Sequence, residues 1–229
     1  MSAARRLGVL GGTFDPIHVG HLDVAEAAQR ALRLDQILFV PSHDPPHRPL
    51  DPHASAFHRF ALAALAIADH STYRVSDLEL QRDGPSYTAD TLQTLRNEGW
   101  QVSQLFFILG ADAFAEIATW HQFPAVLDGA HFVVIARPGT TLEAAAARTP
   151  QIATRLRRPD PDLIQGTTTF VFLVEARTRD VSSTMVRARL EAGRPIDDLV
   201  PRAVERHIAG HRLYGAVDNL HGQKQRVPT

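Results

Sequence analysis

Two histidines three residues apart, His18 and His21, sit in the stretch GGTFDPIHVGHL (Gly11 to Leu22), directly behind the apolar run Leu7-Gly8-Val9-Leu10. The paired glycines Gly11 and Gly12, followed by Thr13 and Phe14, allow a ligand to approach the backbone closely. The histidines fall where a helix is expected to begin, and a helix start offers free N–H donors and a partial positive charge. The chemistry within reach of such a set is the holding of an anion, phosphate above all. Other phosphate or metal patterns do not fit the spacing. Neither G-x-G-x-x-G nor G-x-x-x-x-G-K-[ST] is present, and no glutamate stands between the histidines as H-E-x-x-H requires.

Further polar stretches suit the same chemistry. In GPSYTADTL (Gly84 to Leu92) a turn leads into a helix start, where Ser86 or Thr88 can cap free N–H groups and Tyr87 offers an aromatic face. In LGADAFAEIATWHQF (Leu109 to Phe123), Gly110 and Asp112 follow a strand and Trp120 comes near a helix end. An aromatic ring beside a helix N-terminus suits a flat ring that carries a carboxylate. VSSTMVRARL (Val181 to Leu190) places Ser182, Ser183 and Thr184 at another helix start, with Arg187 one turn on. Hydroxyls, backbone donors and a forked cation together make a phosphate receptor.

The elements that must position these residues form an α/β pattern. Short apolar strands are expected at Leu7–Leu10, Gln36–Val40, Leu105–Leu109, Phe132–Ile135 and Phe170–Val174, with a weaker alternating one at Tyr73–Leu80. Between them lie helical patterns at Val19–Leu34, about Ser55–Ala68, Ser86–Asn97 and Gly110 to about Thr119. Three more helical patterns follow, at about Thr141–Arg157, Ser183–Ala192 and Pro201–Ala209. Apolar strands alternating with helices indicate a Rossmann-like, doubly wound, mostly parallel sheet with helices on both faces. A small C-terminal helical part spans about 181–214. Ligands of such sheets sit beyond the carboxyl ends of the strands, so the polar loops share one rim. One domain over residues 1–214 is expected, followed by a loose tail over 215–229.

Composition narrows the partners. With 24 basic and 25 acidic residues the net charge is -1, so the chain carries no general field for a nucleic-acid backbone. It has no cysteine, which removes thiolate nucleophiles, disulfides and Cys-ligated zinc. No apolar stretch reaches the length of a membrane span, and a cytoplasmic address is expected. Twelve histidines raise the alternative of a metal-binding module. The spacing of His43, His47, His53 and His58 fits no compact ligand pattern, and no protein metal site is expected.

GGTFDPIHVGHL resembles the H-x-G-H signature of the nucleotidyltransferases. Taken in chain order with PPHR, GPSYTADTL, LGADAFAEIATW, VVIARPG and SSTMVR, it resembles the bacterial nicotinate-nucleotide adenylyltransferases, from about Leu7 to Tyr214. Other members of the superfamily, such as phosphopantetheine adenylyltransferases, are the nearest alternative. The resemblance implies adenylyl transfer from ATP to nicotinate mononucleotide, with Mg²⁺ carried on the ATP phosphates, and it is compatible with a homo-oligomer. It implies catalytic roles for His18, His21 and Arg187. ATP would be bound by Gly11, Gly12, Thr13, Phe14, Gly110, Asp112, Ser183 and Thr184. His47, Arg48, Tyr87, Thr88, Trp120 and Arg137 would bind the mononucleotide. Arg48 departs from the lysine usual in the family, substituting a planar fork for a point charge.

Overall fold

The computed structural model describes residues 5–45, 52–136, 141, 144, 147, 150–164 and 166–216. His47, Arg48 and Arg137 lie outside the described residues, as does the chain beyond Ala216.

Seven strands form one parallel sheet: β1 (Leu7–Gly12), β2 (Gln36–Pro41), β3 (Tyr73–Val75), β4 (Leu105–Gly110), β5 (His131–Ala136), β6 (Leu156–Arg157) and β7 (Val171–Glu175). Their order across the sheet is β3-β2-β1-β4-β5-β7-β6. The helices are α1 (Val19–Leu32), α2 (Ala56–Ala66), α3 (Thr88–Asn97), α4 (Ala111–Ala115), α5 (Ser183–Glu191) and α6 (Arg202–Gly210).

The central strands β1, β4, β5 and β7 are mainly apolar because both faces are covered, and side chains alternate between two cores. Phe106 and Ile108 of β4 and Val133 and Ile135 of β5 face one core, which α1, α2, α5 and α6 complete. Leu105, Phe107 and Leu109, with Phe132 and Val134, face the other, closed by Leu92 and Leu95 of α3 and by Phe114 of α4. Gly8 is required where β1 runs through the first core: a Cβ there would lie 2.6 Å from Ile37 Cδ1 and 2.9 Å from Ile108 Cδ1.

Three expectations need correction. The strand predicted over Tyr73–Leu80 ends at Val75, and Leu78–Leu80 form a turn. The helix predicted from Gly110 to about Thr119 is split into α4 and a 3-10 turn at Ile117–Thr119. Where the predicted helix was to run to Arg157, the described residues form a 3-10 stretch, Pro150–Arg155, and the short strand β6. Pro150 has no N–H to continue a helix, and Leu156 pairs with Val171 at the sheet edge.

The order reverses between β1 and β4: the chain winds outward from β1 through β2 and β3, then resumes on the other side of β1. Ligands of open parallel sheets bind at that switch, beyond the strand ends.

Candidate active site

A cleft of about 690 Å³ opens at this switch. Its floor is the end of β1, Gly11 to Thr13, with Gly110 and Asp112 from β4 and α4. His18 and His21 stand on one wall, and Tyr87, Thr88, Trp120 and His121 on another. The rim predicted from strand order is therefore a single cavity, and ten of the predicted site residues line it.

His18 is the N-cap of α1 and supplies no side-chain cap to it. His21, one turn on, takes the His18 backbone N–H on its Nδ1 at 3.2 Å. Accepting there, a neutral His21 carries its proton on Nε2. The two imidazoles stack with centroids 3.7 Å apart, and Phe14 meets His21 edge-on at 5.0 Å. Phe14 holds a left-handed φ of 49°, a conformation that costs a non-glycine residue on the order of 1 kcal/mol. It keeps that backbone because its ring is buried against Phe39. Burial lowers the His18 pKa to about 4, which leaves the ring neutral at pH 7. Gly20 has to be small: a Cβ would stand 3.1 Å from His18 Nδ1 and 3.3 Å from the Arg179 carbonyl.

The first loop is held from behind by Asp15, which is 1% exposed. Its carboxylate accepts the backbone N–H groups of His53 at 2.8 Å and Ala54 at 3.0 Å, and the His53 ring at 3.2 Å. Burial works to raise its pKa, and these hydrogen bonds outweigh burial and lower it. Tyr214 lies beside it, and burial with the Asp15 charge pushes that phenol far up. The buried Arg59 clamps neighbouring loops by donating to the carbonyls of Thr13 at 2.8 Å and Ser42 at 2.6 Å.

The segment SSTMVR departs from expectation. Arg187 does not line the cleft: its Nη1 donates to the Asp15 carbonyl at 2.7 Å, and Nη2 reaches Thr184 Oγ1 at 3.3 Å. Ser183 Oγ donates to the Pro16 carbonyl at 2.9 Å, and Thr184 does not reach the cleft. These side chains turn back onto the first loop because Val186 and Leu190 must face the core, and that fixes the rotation of α5. Ser182 and Arg179 reach the cleft instead. Arg179 forks onto Asp23 of α1, with Nε at 2.9 Å and Nη2 at 2.6 Å, and this pair holds the Asp23 carboxyl below its usual range.

On the opposite wall, α3 begins at Tyr87, and no side chain caps it. Neither Ser86 nor Thr88 caps the helix as predicted; Ser86 Oγ accepts the His43 N–H at 2.9 Å instead. An uncapped helix start keeps its donors for a ligand. Tyr87 stacks on His121 at 4.2 Å, and Trp120 meets Phe107 edge-on at 6.0 Å. Sequence reasoning missed Asp15, Arg179 and His121. Only His121, adjoining the tryptophan, carried a local signal.

The cytidylyltransferase-like family model matches residues 9–189. Nicotinate-nucleotide adenylyltransferase from Salmonella typhimurium strain LT2 is 39% identical over 207 residues, spanning 90% of this chain and 97% of its own length. Among solved structures, Plasmodium falciparum nicotinic acid mononucleotide adenylyltransferase complexed with NaAD superposes with a TM-score of 0.70. It is 18% identical and covers 93% of this chain and 99% of its own, a likeness of fold. The same enzyme complexed with APC gives a TM-score of 0.68, again at 18% identity, covering 93% and 99%.

Proposed function

Because the chain belongs to the cytidylyltransferase-like family and, within it, to the nicotinate-nucleotide adenylyltransferases, we propose that this cleft joins ATP to nicotinate mononucleotide. A phosphate oxygen of the mononucleotide attacks the α-phosphorus of ATP. The bond from that phosphorus to the oxygen bridging the β-phosphate breaks, and pyrophosphate leaves with the electron pair. Nicotinate adenine dinucleotide is the product, a step of NAD biosynthesis.

One observation carries the reading: two helix starts without side-chain caps, α1 with its histidines and α3 with its aromatic neighbours, open into one cleft. The first suits a triphosphate, the second a flat ring bearing a carboxylate. The attacking phosphate is already an anion at neutral pH, so no general base is needed. Catalysis rests on positioning and electrostatic stabilisation.

His18, kept neutral by burial, and His21 then act as donors to the ATP phosphates, with His21 Nε2 serving the α-phosphoryl oxygens. Gly11, Gly12 and Thr13 form the bed of the triphosphate, with Phe14 supporting it from below, and Asp112 with Gly110 takes the ribose. Tyr87 and Trp120 face the pyridine, and the Thr88 N–H meets its carboxylate. His47, Arg48 and Arg137 are assigned to the mononucleotide on the family pattern. Arg187, Ser183 and Thr184 serve the phosphates through the loop they anchor, while Ser182 and Arg179 stand on the pyrophosphate side. Carried on the ATP phosphates, a Mg²⁺ ion would supply neutralisation of part of their charge. Among the described residues no three His, Asp or Glu side chains gather to hold an ion, which suits ligation by phosphate oxygens. Among the same residues no helix is long and apolar enough to cross a membrane.

The test is to supply ATP with nicotinate or nicotinamide mononucleotide at equal concentration and follow pyrophosphate and dinucleotide. Faster turnover of the acid is expected. Equal kcat/KM for the two refutes recognition of the carboxylate by α3, and absence of product from both refutes the reaction.

A further inference from the structure

Behind the start of α3 lies an acid that the reaction does not use. Glu79 lines the cleft yet is only 6% exposed, and burial raises its pKa. A carboxylate there opposes the binding of another, so its presence needs a compensating role. Its partners supply one. Thr91 Oγ1 donates to Glu79 Oε1 at 2.5 Å, and the Ser86 hydroxyl works with it against burial to lower the acid's pKa. Each hydroxyl is already an acceptor: Ser86 Oγ from the His43 N–H at 2.9 Å, Thr91 Oγ1 from Arg82 Nη2 at 2.9 Å. The Thr91 O–H is therefore given to the acid, and the Ser86 O–H is left available to its second oxygen. The alternative acceptor for Thr91, the Tyr87 carbonyl, is more distant at 3.3 Å.

Ser86 directly precedes Tyr87, the N-cap of α3, and a serine near a helix start ordinarily caps it. Engaged by the His43 N–H, its hydroxyl is withdrawn from that task. We propose that Glu79 is the positioning residue for recognition of the substrate acid: by accepting from Ser86 and Thr91 it pins the turn into α3 and keeps the helix N–H groups open to the pyridine carboxylate. This inference rests on the functional reading above.

The test is Glu79→Gln, which leaves one acceptor oxygen and adds an N–H pair directed at two hydroxyls. KM for nicotinate mononucleotide is expected to rise roughly tenfold, the scale of a lost hydrogen bond to a charged group; a fall in that KM, the sign of relieved charge repulsion alone, overturns the assignment. KM for ATP, KM for nicotinamide mononucleotide and kcat stay within about twofold, so the acid-to-amide preference collapses. Adding Ser86→Ala to Glu79→Gln should cost little beyond the single variant, because both act on one contact. A uniform change in both substrates' KM values and kcat marks mere structural support and overturns the assignment. So do additive effects, or an unchanged acid-to-amide ratio. Isothermal titration of nicotinate mononucleotide separates the two levels. Wild-type protein that neither binds nor turns it over overturns both readings; wild-type protein that does both, with Glu79→Gln indistinguishable from it, overturns this one alone.

Discussion

Replacing Arg187 with methionine distinguishes an anchor from a phosphate ligand. Methionine keeps the apolar stem of the side chain and deletes the guanidinium. What is lost is the bond from Nη1 to the Asp15 carbonyl at 2.7 Å and the nearby charge on the Asp15 carboxylate, 3.9 Å away. A charge-assisted hydrogen bond contributes about 1.5–3 kcal/mol. The carboxylate keeps the backbone N–H groups of His53 and Ala54, so it is not stranded. A net loss of about 2–3 kcal/mol follows, and for a chain of this size it lowers Tm by roughly 4–12 °C. Thermal unfolding followed by circular dichroism reads this directly, with ATP kinetics at 25 °C alongside. An unchanged Tm with a raised KM for ATP and a fall in kcat refutes the reasoning, because the guanidinium would then have been meeting phosphate and not the loop.

His21→Ala should lower kcat about 10²–10³-fold, as removal of a preorganised donor does, with Tm little changed; rapid-quench turnover at saturating ATP checks it, and undiminished kcat removes His21 from the reaction. His18 and His131 are both buried with pKa lowered to about 4. The unfolded chain binds their protons first, so stability is full above about pH 6.5 and declines as pH falls toward 4, on the order of 3 kcal/mol per histidine. Urea unfolding across that range should show the slope. His131→Asn, which retains an acceptor for the Phe170 N–H now met by His131 Nδ1 at 3.2 Å, should remove about half of it. Gly20→Ala should push His18 aside and cut kcat about tenfold or more while leaving the fold intact; wild-type kinetics for this variant would show that the His18 position is not critical.

The sheet was legible because strands covered on both faces read as short apolar runs, and Leu105–Leu109 or Phe132–Ile135 allow no other assignment. The rim followed from the strand ends. Less legible were features fixed by rotation and distance in space. That Arg187 turns toward Asp15 depends on which face of α5 meets the core, and the serine-rich helix start gives no hint of it. Ser86 reads as a cap by residue type, yet its hydroxyl accepts from the His43 N–H, in the loop after β2. β6 is two residues long, too short for any periodicity to register. Arg179 showed only as a charge in a polar stretch, because its partner Asp23 lies on α1.

The bonds that complete the phosphate loop join residues very far apart in the chain: Arg179 to Asp23 across 156 positions, Ser183 to Pro16 across 167, Arg187 to Asp15 across 172. Closing such loops costs chain entropy well before any contact offsets it. The glycine turn and its histidines are made early in synthesis, but no fragment ending before α5 holds both halves of these last two bonds. The proposed triphosphate loop is thus completed late, after most of the sheet can pair.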